Sequence, residues 1–99
     1  MYRMLVMYPT SADPLLVDDI VVRTAAVFNQ RTGFHSVTTS VDALMGPSAR
    51  AGEFSRVMEA DFATVDDALA ALHDDAFQEV KSITESLGST VFLYEFSGL

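Results

Sequence analysis

A histidine within reach of carboxylates is the arrangement in this sequence that most directly suggests chemistry. His35 stands early in a β-branched run, and Glu59 and Asp61 interrupt an otherwise apolar one. An imidazole can move a proton near neutral pH, and a carboxylate that holds it makes it a usable general base. If the two runs form a hairpin paired symmetrically about residue 48, His35 lies opposite Asp61 and both project from one face, with Glu59 two residues along. His35, Asp61 and Glu59 are therefore the candidate catalytic residues. The same residues have a plainer use. His35 can be a strand-end histidine in water, and the carboxylates can reach solvent or pair with Arg3, Arg56 or an arginine of a second subunit, since a carboxylate on a covered sheet face is costly unless paired.

A second group could hold a guest. Tyr2, Tyr8 and Tyr94 fall in strand-like runs and carry a polar tip on an apolar ring, the character of a pocket for a small organic molecule. With Met58 and Phe62 they are the candidate ligand-binding residues; core or interface packing is the alternative for each. Arg23 is read as half of an exposed pair with Asp19. His73 is followed by Asp74 and Asp75, but neighbours along a helix point apart, so no metal is assigned. There is no Gly-x-Ser-x-Gly elbow, no glycine-rich phosphate loop and no dinucleotide fingerprint, so no cofactor is expected. The absence of cysteine excludes disulfides, thiolate metal sites and thiol nucleophiles.

The elements that would position these residues follow from period and punctuation. Tyr2 to Tyr8 is a strand with Tyr2, Met4, Val6 and Tyr8 on one face and Arg3, Leu5 and Met7 on the other. Asp13-Pro14 opens a helix that runs to about Gln30, with Leu16, Ile20, Val27 and Val17, Val21, Phe28 at helical spacing. Gly33 closes it. Phe34 to Val41 is a second strand, Asp42 to Gly52 a loop, and Phe54 to Phe62 a third strand with Phe54, Met58, Ala60 and Phe62 on one face. Thr64 and Asp67 resemble a capping box for a second helix, whose buried side reads Leu69, Leu72, Ala76, Val80, Ile83 and Leu87, with Asp74-Asp75 the place for a break. Ser89 to Phe96 is the last strand.

The order β-α-β-β-α-β describes an α+β, ferredoxin-like domain over residues 1–99: a four-stranded antiparallel sheet with its helices on one face. The other face is then bare, although each strand is apolar on both sides. In 99 residues of which 49% are hydrophobic, that surplus exceeds what a small interior can hide. Two sheets stacked back to back remove the problem, so a homodimer, or a higher oligomer, is expected. A net charge of −8 with scattered basic residues disfavours nucleic acid and anionic membranes as partners. No apolar run approaches the about 18 residues of a membrane span and no basic leader opens the chain, which makes the cytoplasm the expected compartment.

These pieces resemble the EthD family of the dimeric α/β-barrel superfamily. The matching residues are the first strand ending Tyr8-Pro9, then Asp13-Pro14, Gly33-Phe34, Arg56-Val57-Met58-Glu59 leading to Phe62, and the acidic helix start from Val65 to Leu72. The resemblance implies a small homodimer with pockets for small apolar or aromatic compounds and an accessory part in degrading organic compounds. Some relatives are cofactor-free monooxygenases or isomerases, and a non-catalytic assembly protein fits the same fold. Enzymatic members use a histidine in the first helix; Ile20 to Ala25 holds none, so that residue is not carried over.

Overall fold

The computed structural model describes residues 1–41, 44–47 and 52–98. The elements are β1 (Tyr2–Pro9), α1 (Pro14–Phe28), β2 (Phe34–Thr39), β3 (Phe54–Phe62), α2 (Val65–Leu72), α3 (Asp75–Ser86) and β4 (Thr90–Glu95). The antiparallel sheet has the order β2-β3-β1-β4. Most of the loop expected over Asp42 to Gly52 lies outside the described residues. No helix among the described residues is long and apolar enough to cross a membrane.

Local chemistry explains the helix boundaries. The Asp13 carboxylate accepts from the Leu15 N–H and Pro14 takes the first helical position. Thr64 accepts from the Asp67 N–H and donates its hydroxyl proton to the Asp67 carboxylate, so half of the expected box forms and the Thr64 hydroxyl, rather than its backbone N–H, supplies the return bond. The second helix is two helices. Asp74 stops α2 and caps α3 by accepting from the Ala76 N–H, and the Gln78 amide donates to the Leu72 and Asp74 carbonyls across the corner. Arg31 reaches the outer oxygen of Asp74 at 2.6 Å and ties this corner to the end of α1. Gly33 sits at φ 77°, where a Cβ would lie 2.1 Å from an Asp67 oxygen, so the turn into β2 admits only glycine.

All three helices lie on one face of the sheet. Met4, Val6 and Tyr8 of β1 and Met58, Ala60 and Phe62 of β3 form the floor of one core with Val17, Ile20 and Phe28 of α1 and Phe77 and Val80 of α3. The break at residues 73–74 resets the helical phase. On α3 the buried positions are therefore Phe77, Val80 and Thr84, and Ala76, expected inside, is exposed; on α2, ahead of the break, Ala68 and Ala71 are buried and Leu69, expected inside, is exposed. On α1 the stripe is Val17, Ile20, Val21, Thr24 and Phe28, and Leu16 is outside with Leu15 and Val22. The expected pair of Arg23 with Asp19 forms at 3.8 Å, and Arg23 also reaches Glu79 of α3 at 3.2 Å.

The opposite face carries Arg3, Leu5 and Met7 of β1, Val57, Glu59 and Asp61 of β3, and Phe92 and Tyr94 of β4. None of the described helices covers it, and the Cα atoms span only 17 Å in the thin direction. Phe92 is 50% and Tyr94 37% exposed there.

Candidate functional site

The sheet does not bring His35 to Asp61. Val37, Thr38 and Ser36 pair with Ala60, Glu59 and Asp61, while Phe34 pairs with Phe62; the register shifts between Phe34 and Ser36. This irregularity at His35 leaves its side chain exposed. Core packing accounts for it. Phe34 packs against Phe28 and Phe62, with ring centroids 6.4 and 5.8 Å apart, and Val37 packs on the same core. Residues three apart in a regular strand point to opposite faces, so one extra residue must be absorbed between them. The symmetric hairpin expected from the sequence is corrected by one residue.

The carboxylates of that expectation are held elsewhere. Asp61 accepts two hydrogen bonds from Arg3, at 2.7 Å from Nε and 3.0 Å from Nη2. Glu59 lies 3.6 Å from the same guanidinium, which stacks 4.1 Å over the Phe96 ring. The Asp61 hydrogen bonds are the main reason the Arg3 proton is bound even more tightly than usual. Arg56 pairs with Asp18 instead.

A cavity of about 330 Å³ lies between the layers, large enough for a small organic molecule. Its floor is the helix side of the sheet: Met4, Val6 and Tyr8 of β1, Met58 of β3, and Val91 and Leu93 of β4. Its roof is Thr24 of α1, Leu69, Leu72 and His73 around the end of α2, and Phe77, Lys81, Thr84 and Glu85 of α3. β4 is an edge strand, and Val91 and Leu93, at 45% and 40% exposure, mark the opening.

Of the residues expected to bind a ligand, Tyr8 and Met58 line this cavity. Phe62 belongs to the aromatic core instead, its ring 5.3 Å from Phe28. Tyr94 is on the far face of the sheet, and Tyr2 borders a separate shallow depression with Met1 and Thr64. Sequence reasoning missed Thr24, Thr84, Lys81 and Glu85 as cavity residues. The signal was there for two of them: Thr24 and Thr84 are the hydroxyl residues within otherwise apolar helix stripes. Thr24 is satisfied, donating to the Ile20 carbonyl at 2.7 Å.

Tyr8 is the cavity residue whose buried polar atom is unsatisfied; among the described residues Arg31 Nε shares that condition, away from the cavity. Its side chain is closed to bulk water, and its hydroxyl has no hydrogen-bond partner. Burial raises its pKa above the ordinary 10.0, and the nearby Thr84 hydroxyl and Arg56 charge pull it only partly back. Thr84 is close enough to exert that influence, but no bond of acceptable geometry joins the two hydroxyls.

The sign of the resulting pH dependence is fixed. Below about pH 10 folded and unfolded chains both keep this proton. Above it the unfolded chain releases the proton that the folded chain retains, so stability falls with rising pH until the folded pKa is passed. Urea unfolding on either side of about pH 10 should show a steeper alkaline loss in the wild type than in Tyr8→Phe. At neutral pH the variant should lose no stability, because the hydroxyl removed had no partner. Equal alkaline slopes would contradict the buried, unpartnered hydroxyl.

Four antiparallel strands in the order β2-β3-β1-β4, backed on one side by helices with a cavity between the layers, define the α+β ferredoxin-like fold. The chain is similar to SnoaB, a cofactor-independent oxygenase from Streptomyces nogalater, at 21% identity and a TM-score of 0.76, over 99% of this chain and 92% of that one. It is similar to an EthD family protein from Bacillus halodurans at 15% identity and a TM-score of 0.75, over 98% and 99% of the two chains. A dimeric ferredoxin-like protein of unknown function from Thermobifida fusca matches at 12% identity and a TM-score of 0.72, over 96% and 90%. At these identities the likeness is one of fold. No protein-family model and no curated protein matches the chain.

Proposed function

We propose that this chain forms a homodimer through the helix-free face of its sheet and that each protomer binds a small, mainly apolar organic compound in the cavity beneath α2 and α3. The observation that carries the reading is the cavity of about 330 Å³, lined in part by Tyr8, whose buried hydroxyl has no partner. A buried donor without a partner is costly, and a guest oxygen that accepts from Tyr8 would relieve it. The apolar lining from Met4, Val6, Met58, Leu72 and Phe77 suits a ring system. Support for the dimer comes from the uncovered Phe92 and Tyr94 face and from the dimeric proteins that share the fold.

In this reading the part played in breaking down organic compounds is that of a carrier or accessory protein. A cofactor-free oxygenase worked by His35 and Asp61 lacks the juxtaposition it needs, with His35 exposed and Asp61 engaged by Arg3. The shared fold does not choose a chemistry.

A thermal-shift titration with 2-acetylnaphthalene, a neutral ring compound with one carbonyl, tests the binding. At a hundred times its Kd a ligand adds about 2.7 kcal/mol to the folded state, so the wild type should melt measurably higher. Leu93→Trp places a large ring at the cavity opening, at a site already 40% exposed, and should abolish the shift without unfolding the protein. No shift in the wild type, or one that persists in Leu93→Trp, would exclude this cavity as the site.

A further inference from the structure

The cavity is apolar in its depth and charged at its rim. The rim groups are His73, which ends α2, and Lys81 and Glu85, one turn apart on α3. The four described arginines each hold a carboxylate: Arg3 with Asp61, Arg23 with Glu79, Arg31 with Asp74 and Arg56 with Asp18. Among the described residues Lys81 has no carboxylate within 4.0 Å, in a chain with 14 acidic residues against 6 basic ones. Glu85 stands four residues on, in the weaker Lys-before-Glu order, and does not take it. The ammonium, on a flexible apolar stem that can lie along the cavity wall, is available to a charge that arrives with the guest.

At the inner end the requirement is different. The Tyr8 hydroxyl, protonated at neutral pH and hence a donor, lacks an oxygen acceptor. The two ends together describe one molecule. We infer, on the reading that this cavity is a binding site, that its guest is an aromatic or alicyclic acid: an apolar ring body with a carboxylate or phenolate oxygen at Lys81 and His73 and a second oxygen at Tyr8. Glu85 limits the guest to a single negative charge. A cationic guest would satisfy Glu85 but leave Lys81 and His73 facing it. Because the molecule as a whole carries −8, an acid is held best where a local cation stands open, as Lys81 does at this rim.

The probes are 6-hydroxy-2-naphthoic acid and its methyl ester, which share a ring body and inner hydroxyl and differ by the charge. Titrated by fluorescence at neutral pH, the acid should bind about tenfold more tightly than the ester, the size of one charge-assisted contact. Lys81→Met keeps the stem and removes the charge. It should weaken the acid about tenfold and leave the ester unchanged, and Lys81→Arg should restore the preference. An ester that binds as well as the acid, or a preference that survives in Lys81→Met, overturns the inference while the cavity stands as a site. Failure of both compounds to bind the wild type overturns the cavity and the inference together.

Discussion

Leu5→Glu should turn a dimer into monomers. Leu5 lies mid-strand on the helix-free face, flanked in register by Phe92 of β4 and Glu59 of β3. If a second copy covers this face, the new carboxylate is buried without a partner, and Arg3, the nearest described cation on that face, is already held by Asp61. An uncompensated buried charge costs about 3–5 kcal/mol, and 3 kcal/mol is roughly a hundredfold in a dissociation constant. Leu5 is only half-buried in the single protomer, so the fold itself should tolerate the change. Sedimentation velocity over a range of concentrations reads the result. A variant with the wild-type mass, or a wild type that is monomeric throughout, removes the case for pairing through this face.

The other large effect lies in the core. Phe28, with no exposed surface, ends α1 among Phe77, Phe62 and Phe34, its ring centroid 4.8, 5.3 and 6.4 Å from theirs. Truncation to alanine removes the ring on which β2, β3 and α3 converge. Buried Phe→Ala changes cost about 3–5 kcal/mol, a large part of the 5–15 kcal/mol that holds a typical protein folded. At roughly 4–8 °C per kcal/mol, melting should fall by more than about 12 °C. Phe28→Leu should lose much less, because most of the volume remains. Phe77 also lines the cavity, so ligand binding should weaken in the alanine variant even where it stays folded. A loss below about 1 kcal/mol by urea unfolding would mean that this aromatic cluster is not the organising core.

Much of this fold is legible in the residues themselves. The alternation in Tyr2 to Tyr8 and in Phe54 to Phe62 assigned both sheet faces, because a period of two leaves no choice once one face is apolar. The Asp74-Asp75 break was legible for a similar reason, since Asp74 competes for backbone donors and starts a helix better than it continues one. The His35 register was not. Counting symmetrically across a loop assumes a regular hairpin, and the irregularity is set by Phe34 and Val37 both seeking the core, a tertiary demand. The cavity was legible only in part. Tyr8 and Met58 could be found because strands fix their faces. Lys81 and Thr84 face the cavity because α3 starts afresh after the break, in a phase and at a distance from β4 that pattern alone does not reveal. Neither could the sequence say that Arg3, rather than Arg56, would take Asp61.

β4 alternates between two clients. Val91 and Leu93 border the chamber, while Phe92 and Tyr94 look the other way, toward the face assigned to a second copy. In a pair of subunits carrying guests, one six-residue ribbon would then be the wall common to both equilibria. Any preference of the occupied chamber for one setting of that ribbon is felt equally by the association of the subunits, and thermodynamic reciprocity makes the influence run both ways. Where the occupied chamber favours the paired setting, dilution loosens the hold on cargo and cargo tightens the pair; where it favours the other, both effects reverse.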